Sequence, residues 1–95
     1  SLGFRGRGRV TGDEHAPRVL WESGTLAVEV EPGRGVALVV ETREAEVRVV
    51  GTAFSVTRDA LGTRVQVDHG RVALKCLGAA EQPLEAGGDA TCRRT

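Results

Sequence analysis

Along most of the chain apolar residues alternate with polar ones at period two, and glycines cut the alternation into short runs. That rhythm predicts strands, because successive side chains of an extended backbone point to opposite faces of a sheet. Leu26, Val28 and Val30 place the apolar side on even numbers. Val36, Leu38 and Val40 keep the same parity after Pro32-Gly33-Arg34-Gly35, so two strands joined by a tight connection are expected. In the next run Ala45, Val47 and Val49 put the apolar side on odd numbers, with Glu44, Glu46 and Arg48 turned to solvent. Beyond Gly51-Thr52 it returns to even numbers at Phe54 and Val56. A regular strand cannot change faces, so a bulge or corner is predicted at Gly51-Thr52, where glycine supplies backbone angles that other residues avoid. Phe54, on the side of Val56, is expected in the core.

Thr57 to Gly62 reads as a polar connection and Val65 with Val67 as the next strand. Asp68-His69-Gly70 then reads as a hairpin turn into Val72, Leu74 and Cys76. The stretch from Glu22-Ser23-Gly24 to Val28 echoes the one from Asp68-His69-Gly70 to Leu74, which suggests stacked strand-turn units. From Leu77 onward, Gly78, Pro83, Gly87 and Gly88 surround one short apolar segment, predicting a last edge strand and a loose tail. The expected fold is a small all-β domain of short strands and tight glycine-rich turns, stacked as a roll or solenoid or packed as a sandwich. It covers residues 18–92, after a lead-in at 1–17 with the option of an edge strand and before a tail at 93–95.

Ninety-five residues support one core. The 13 basic side chains balance 13 acidic ones, so no net field draws the chain to nucleic acid or an anionic membrane. The longest apolar stretch, Val36 to Val40, falls far short of the roughly 18 residues of a membrane span, so no membrane contact by this segment is expected. The chain lacks methionine and any signal-peptide pattern, and so reads as a piece of a longer protein.

Candidate chemistry is sparse. Cys76 and Cys92 permit one disulfide, worth about 3 kcal/mol for a loop of this length. A buried Cys76 with a free Cys92 fits the sequence equally well. Neither has a second cysteine or histidine at zinc-ligand spacing or a motif that would activate a thiol. His15 and His69 lie in polar stretches and read as solvated loop histidines. Glu41, Glu44 and Glu46 alternate with arginines as an ordinary solvated face does. Arg5, Arg7 and Arg9, interleaved with glycines, are too few for an RNA-contacting segment and suit a lead-in with one charged face. Trp21 is expected in core or rim packing, with an interface anchor as the alternative. No catalytic, cofactor or metal site is predicted. An open sheet edge remains, where a protein partner could dock by adding a strand.

The segment Glu41-Thr42-Arg43-Glu44-Ala45-Glu46-Val47-Arg48-Val49-Val50-Gly51-Thr52-Ala53-Phe54-Ser55-Val56 is similar to the central signature of FecR-type domains, a valine-rich strand followed by Gly-Thr-x-Phe-x-Val. Thr63 to Leu74 matches the family's valine pair, acidic turn and glycine at Gly70, and Leu84 to Ala90 resembles its closing segment with Gly87. The resemblance runs from about Arg18 to Ala90. It excludes the arginine-glycine lead-in and does not extend to the cysteine pair. It makes Gly51, Thr52, Phe54, Val56, Gly70 and Gly87 the signature structural residues. It implies a non-enzymatic, periplasmic or envelope-exposed module, working without a cofactor. Such a module contacts a receptor or neighbouring signalling domain in anti-sigma regulation; the alternative is an envelope-anchoring or glycan-binding module without a signalling role.

Overall fold

In the computed structural model, residues 2–13, 15–30, 37–49 and 51–93 are described, apart from the side chain of Leu2. The alternation becomes nine strands, with no helix among the described residues. They are β1 (Leu2–Gly12), β2 (Pro17–Glu29), β3 (Leu38–Glu41), β4 (Ala45–Val49), β5 (Ala53–Asp59), β6 (Gly62–His69), β7 (Arg71–Cys76), β8 (Gln82–Glu85) and β9 (Asp89–Arg93). The protein is all-β, as its pattern predicts.

β2 organises the sheet. β1 lies antiparallel along its whole length, from Leu2 opposite Val28 to Gly12 opposite Pro17. The first part of β2 pairs parallel with β3, and its second part pairs antiparallel with β5. A strand has only two hydrogen-bonding edges, so β3 and β5 must share the edge that β1 leaves. From that shared edge one wing runs β3-β4-β7-β8 and the other β5-β6-β9. The wings curl until their apolar faces meet, and Val40, Val47, Val72 and Leu74 of the first pack with Phe54, Val56 and Val65 of the second. All seven are almost completely buried.

The result is a nearly closed barrel. On its far side the β8–β9 turn is tied to β6: Val67 N donates to the Gly88 carbonyl at 3.0 Å, and Gly87 N to the Val67 carbonyl at 2.9 Å. A disulfide joins Cys76 of β7 to Cys92 of β9, with Cα atoms 5.3 Å apart. It crosses the seam between the two wings.

The parity change at Gly51-Thr52 is a corner. Gly51 has φ +60°, and the β5–β6 register shifts between Ala53 and Phe54. Gly70, at φ +84°, packs against this corner so closely that an added Cβ would lie 2.9 Å from the Gly51 carbonyl oxygen. Thr52 is buried, its hydroxyl donates to the Arg71 carbonyl at 2.8 Å, and its own carbonyl accepts from Val30 N at 2.8 Å.

Several connections differ from the sequence expectation. Asp68-His69-Gly70 is no hairpin, because β7 pairs with β4 and β8 and not with β6. Gly70 carries the chain from one wing to the other. Glu22-Ser23-Gly24 is no turn either: β2 runs through it, with Glu22 the extra residue between Trp21, opposite Gly8, and Ser23, opposite Arg7. The bulge moves the buried side of β2 from Val19 and Trp21 to Leu26 and Val28. β2 and β3 are parallel, so a crossover joins them where shared parity suggested a tight connection; residues 31–36 lie outside the described residues. Thr57 to Gly62 is mostly strand, with Asp59 opposite Gly62. The C-terminal stretch forms two strands, β8 and β9, where one was expected. Alternation reports which face a residue occupies. It carries no information about which strand lies alongside.

Gly70→Ala is expected to lower stability by about 1 to 2 kcal/mol, because both the backbone angle and the Gly51 carbonyl oppose a Cβ. Gly78→Ala, at φ +78° but with nothing within 4 Å, should cost less. Urea denaturation of the two variants checks this. Reducing the disulfide should lower stability by about 3 kcal/mol, read in the same assay with and without reductant.

Candidate functional site

Two places on the molecule concentrate polar chemistry. The first plugs the barrel end where the β3–β4 and β5–β6 turns meet. Glu44 is only 5% exposed. Arg58 Nε donates to its Oε1 at 2.9 Å and Nη2 to its Oε2 at 3.3 Å. The Thr63 hydroxyl also donates to Oε1, at 2.9 Å. The Thr63 proton being thus committed, Thr42 is the donor in the 2.8 Å contact between the two hydroxyls. Thr42 Oγ1 in turn accepts from Ala45 N at 3.1 Å. Arg58 Nη1 reaches the Glu22 carbonyl at 2.7 Å, and Leu77 N donates to the Glu44 carbonyl at 2.8 Å. The disulfide adjoins this network, since Thr63 pairs with Cys92 and Ala45 with Cys76. Every member has a partner, so the network fastens this end of the barrel.

Glu44 is a correction to the solvated-face reading. Its even number puts it outward on a continued strand, but it precedes β4, in the turn, and there its side chain folds inward. Two signals could have revealed it. Arg58 shares the even, core-facing side of Phe54 and Val56, and Thr63 the odd, core-facing side of Val65 and Val67. Two polar residues on core faces require a buried partner. Glu41 and Glu46 are directly opposite each other on β3 and β4, and each has a cation beside it. Arg18 lies 3.0 Å from Glu41, and Arg48 3.1 Å from Glu46. The hydrogen bond to Glu41, helped by the charges of Glu41 and Glu46, raises the Arg18 pKa.

The second place is β1. Among the described residues it pairs only with β2, as β8 pairs only with β7 and β9 only with β6, so one of its edges offers unpaired backbone groups; β1 is the longest of these three strands, and its residues from Gly3 to Gly12 are all exposed. On one face stand Arg5, Arg7 and Arg9, opposite Thr25, Ser23 and Leu20. On the other, Phe4 and Val10 continue the core side of β2, opposite Leu26 and Val19, yet stay 68% and 63% exposed. Two neighbours on β2 explain the intervening glycines. The Trp21 ring lies under β1, where a Cβ on Gly8 would come 2.6 Å from Trp21 Cε3, and a Cβ on Gly6 would run into the Ser23 carbonyl. The indole N–H donates to the Gly24 carbonyl at 2.9 Å, and Phe4 meets the ring edge-on with centroids 6.4 Å apart. Trp21 is therefore in the core, and Phe4 is the aromatic residue at the surface.

The signature residues do not form one site. Gly51, Thr52 and Gly70 meet at the corner, Phe54 and Val56 are core, and Gly87, at φ +85°, shapes the β8–β9 turn. The corner and the plug close opposite barrel ends, with Phe54 and Val56 in the core between them.

Fold and edge together define a β-barrel-like domain with one long, basic, exposed edge strand. The chain belongs to the FecR family: the family model described as FecR protein matches residues 8–73. Two solved structures of candidate anti-sigma factors from Parabacteroides distasonis share the fold. One has a TM-score of 0.68 and 22% identity, with 93% of this chain aligned to 40% of that one. The other has a TM-score of 0.68 and 18% identity, with 94% of this chain aligned to 53% of that one. The chain thus spans about half the length of these neighbours or less. No curated protein matches it.

Removing one partner of the buried pair, by Glu44→Leu or Arg58→Leu, is expected to cost about 3 kcal/mol or more, because the other charge is left uncompensated. The double variant should lose clearly less than the sum of the two. A double-mutant cycle in urea measures the difference.

Proposed function

We propose that this domain is a non-enzymatic protein-interaction module in the periplasmic part of an envelope protein, acting in FecR-like transmembrane control of a sigma factor. Its FecR membership carries the regulatory part of this reading, and the open edge of β1 carries the interaction part. A receptor or adjacent signalling domain docks by adding a strand to β1, so that affinity comes from main-chain hydrogen bonds. The disulfide favours an oxidising compartment. With both cysteines bonded there is no thiol nucleophile, and both histidines are exposed. The anchoring or glycan-binding alternative gains nothing from Trp21, whose ring is covered.

Successive residues of β1 turn their N–H groups to opposite edges. Prolines at Arg5 and Arg9, compared with prolines at Phe4 and Val10, therefore separate the free edge from the edge paired to β2. Placed in the gene that encodes this domain, the set on the free edge is expected to change sigma-dependent transcription as much as deleting the domain does. Its circular dichroism spectrum and unfolding midpoint should stay unchanged. An unaltered transcript profile in the deletion strain would refute the regulatory role, and an effect of deletion without an effect of either proline set would refute docking at β1.

A further inference from the structure

We infer that the open edge of β1 receives an extended segment of a partner protein whose alternate side chains are acidic. The inference deepens the docking reading above and rests on it. The chain as a whole is neutral, yet Arg5, Arg7 and Arg9 stand in a row on one face of an edge strand, and none has an ion-pair partner among the described residues. On other strands arginines find acidic partners across the ladder: Arg64 with Asp89 at 2.8 Å and Arg71 with Glu85 at 2.9 Å. An added strand would place its residues opposite the three arginines at every second position, where a carboxylate is favourable and a cation is not. The intervening positions would face Phe4 and Val10, whose apolar surface is open and suits valine, isoleucine or leucine. The recognised segment thus alternates acidic and apolar residues over about five to nine positions.

The same row argues against a second copy of this chain. Two β1 strands joined antiparallel about a two-fold axis set Arg7 against Arg7 and Arg5 against Arg9, or bring arginines diagonal in neighbouring registers. The edge is therefore open to a partner but closed to itself. Arg5 and Arg7 precede the region matched by the family model, so this charge row belongs to the chain's own lead-in.

The test uses the 95-residue chain and three labelled nine-residue peptides in which valine alternates with Glu, Ser or Lys. Fluorescence anisotropy should show the Glu peptide binding at least about ten-fold more tightly than the Ser peptide, an advantage that shrinks as salt rises. In the triple variant Arg5→Glu, Arg7→Glu and Arg9→Glu, checked for fold by circular dichroism, the preference should invert to the Lys peptide. N-methylation of alternate peptide amides on the β1-facing side should abolish binding. Equal affinity for Glu and Ser peptides would overturn the acidic partner and leave strand addition standing. Failure of all three peptides, with binding instead to an oligothymidylate or to phosphatidylglycerol vesicles, would overturn both. A chain that sediments as a dimer with β1 amides protected from exchange would also overturn the inference.

Discussion

A β-strand has two hydrogen-bonding edges, and the architecture of this protein follows from how β2 divides them. β1 occupies one edge along its full length, and the parallel strand β3 and antiparallel strand β5 divide the other. Two wings leaving a single edge cannot stay coplanar. They diverge, and each can bury its apolar face only against the other. The bulge at Glu22 lets one strand serve both wings, because it moves the buried side from Val19 and Trp21 to Leu26 and Val28. The division that closes the barrel also leaves β1 with a free edge.

Closure then needs fastening at both ends and along the seam, and a different interaction serves each place. Backbone packing of Gly51, Thr52 and Gly70 forms the corner at one end. The hydrogen-bonded Glu44–Arg58 pair with Thr63 and Thr42 plugs the other. A covalent bond between Cys76 and Cys92 spans the seam, where β7 and β9 share no ladder. A small domain buries too little apolar surface for such devices to be superfluous. The plug is a specific one: a carboxylate with this little solvent is tolerable only because a guanidinium and a hydroxyl satisfy it together. The residues that resemble the family signature sit at the corner, in the core and at Gly87, where they shape the backbone and the packing.

The proposed docking surface is of another kind. Its backbone groups are available because of topology, and its side chains stand apart from the closing network. Within β1, Gly8 is imposed from beneath by Trp21 and Gly6 by the close approach of Ser23 and Gly24, so between Phe4 and Val10 the strand keeps side chains only at the remaining positions. Those positions carry arginine on one face and Phe4 and Val10 on the other. The two glycines inside Phe4-Arg5-Gly6-Arg7-Gly8-Arg9-Val10, which look like low complexity when read along the chain, stand where β2 comes too close for a side chain.

By itself the sequence determined the all-β class, the inward side of nearly every strand from Leu26 to Leu74, the corner at Gly51-Thr52 and the family, because side-chain direction in a strand is local and alternates with period two. It misplaced Glu44, since a turn residue does not obey the parity of the strand beside it, although Arg58 and Thr63 on core-facing positions marked the site of a buried carboxylate. It could state that an edge would be open but not which one. Pairing is a relation between segments far apart in the chain, and a pattern of faces is satisfied equally well by many neighbours. Only the tertiary structure decided that β2 is shared, that β6 and β7 part at Gly70, that the cysteines meet, and that the arginines of β1 line an unoccupied edge.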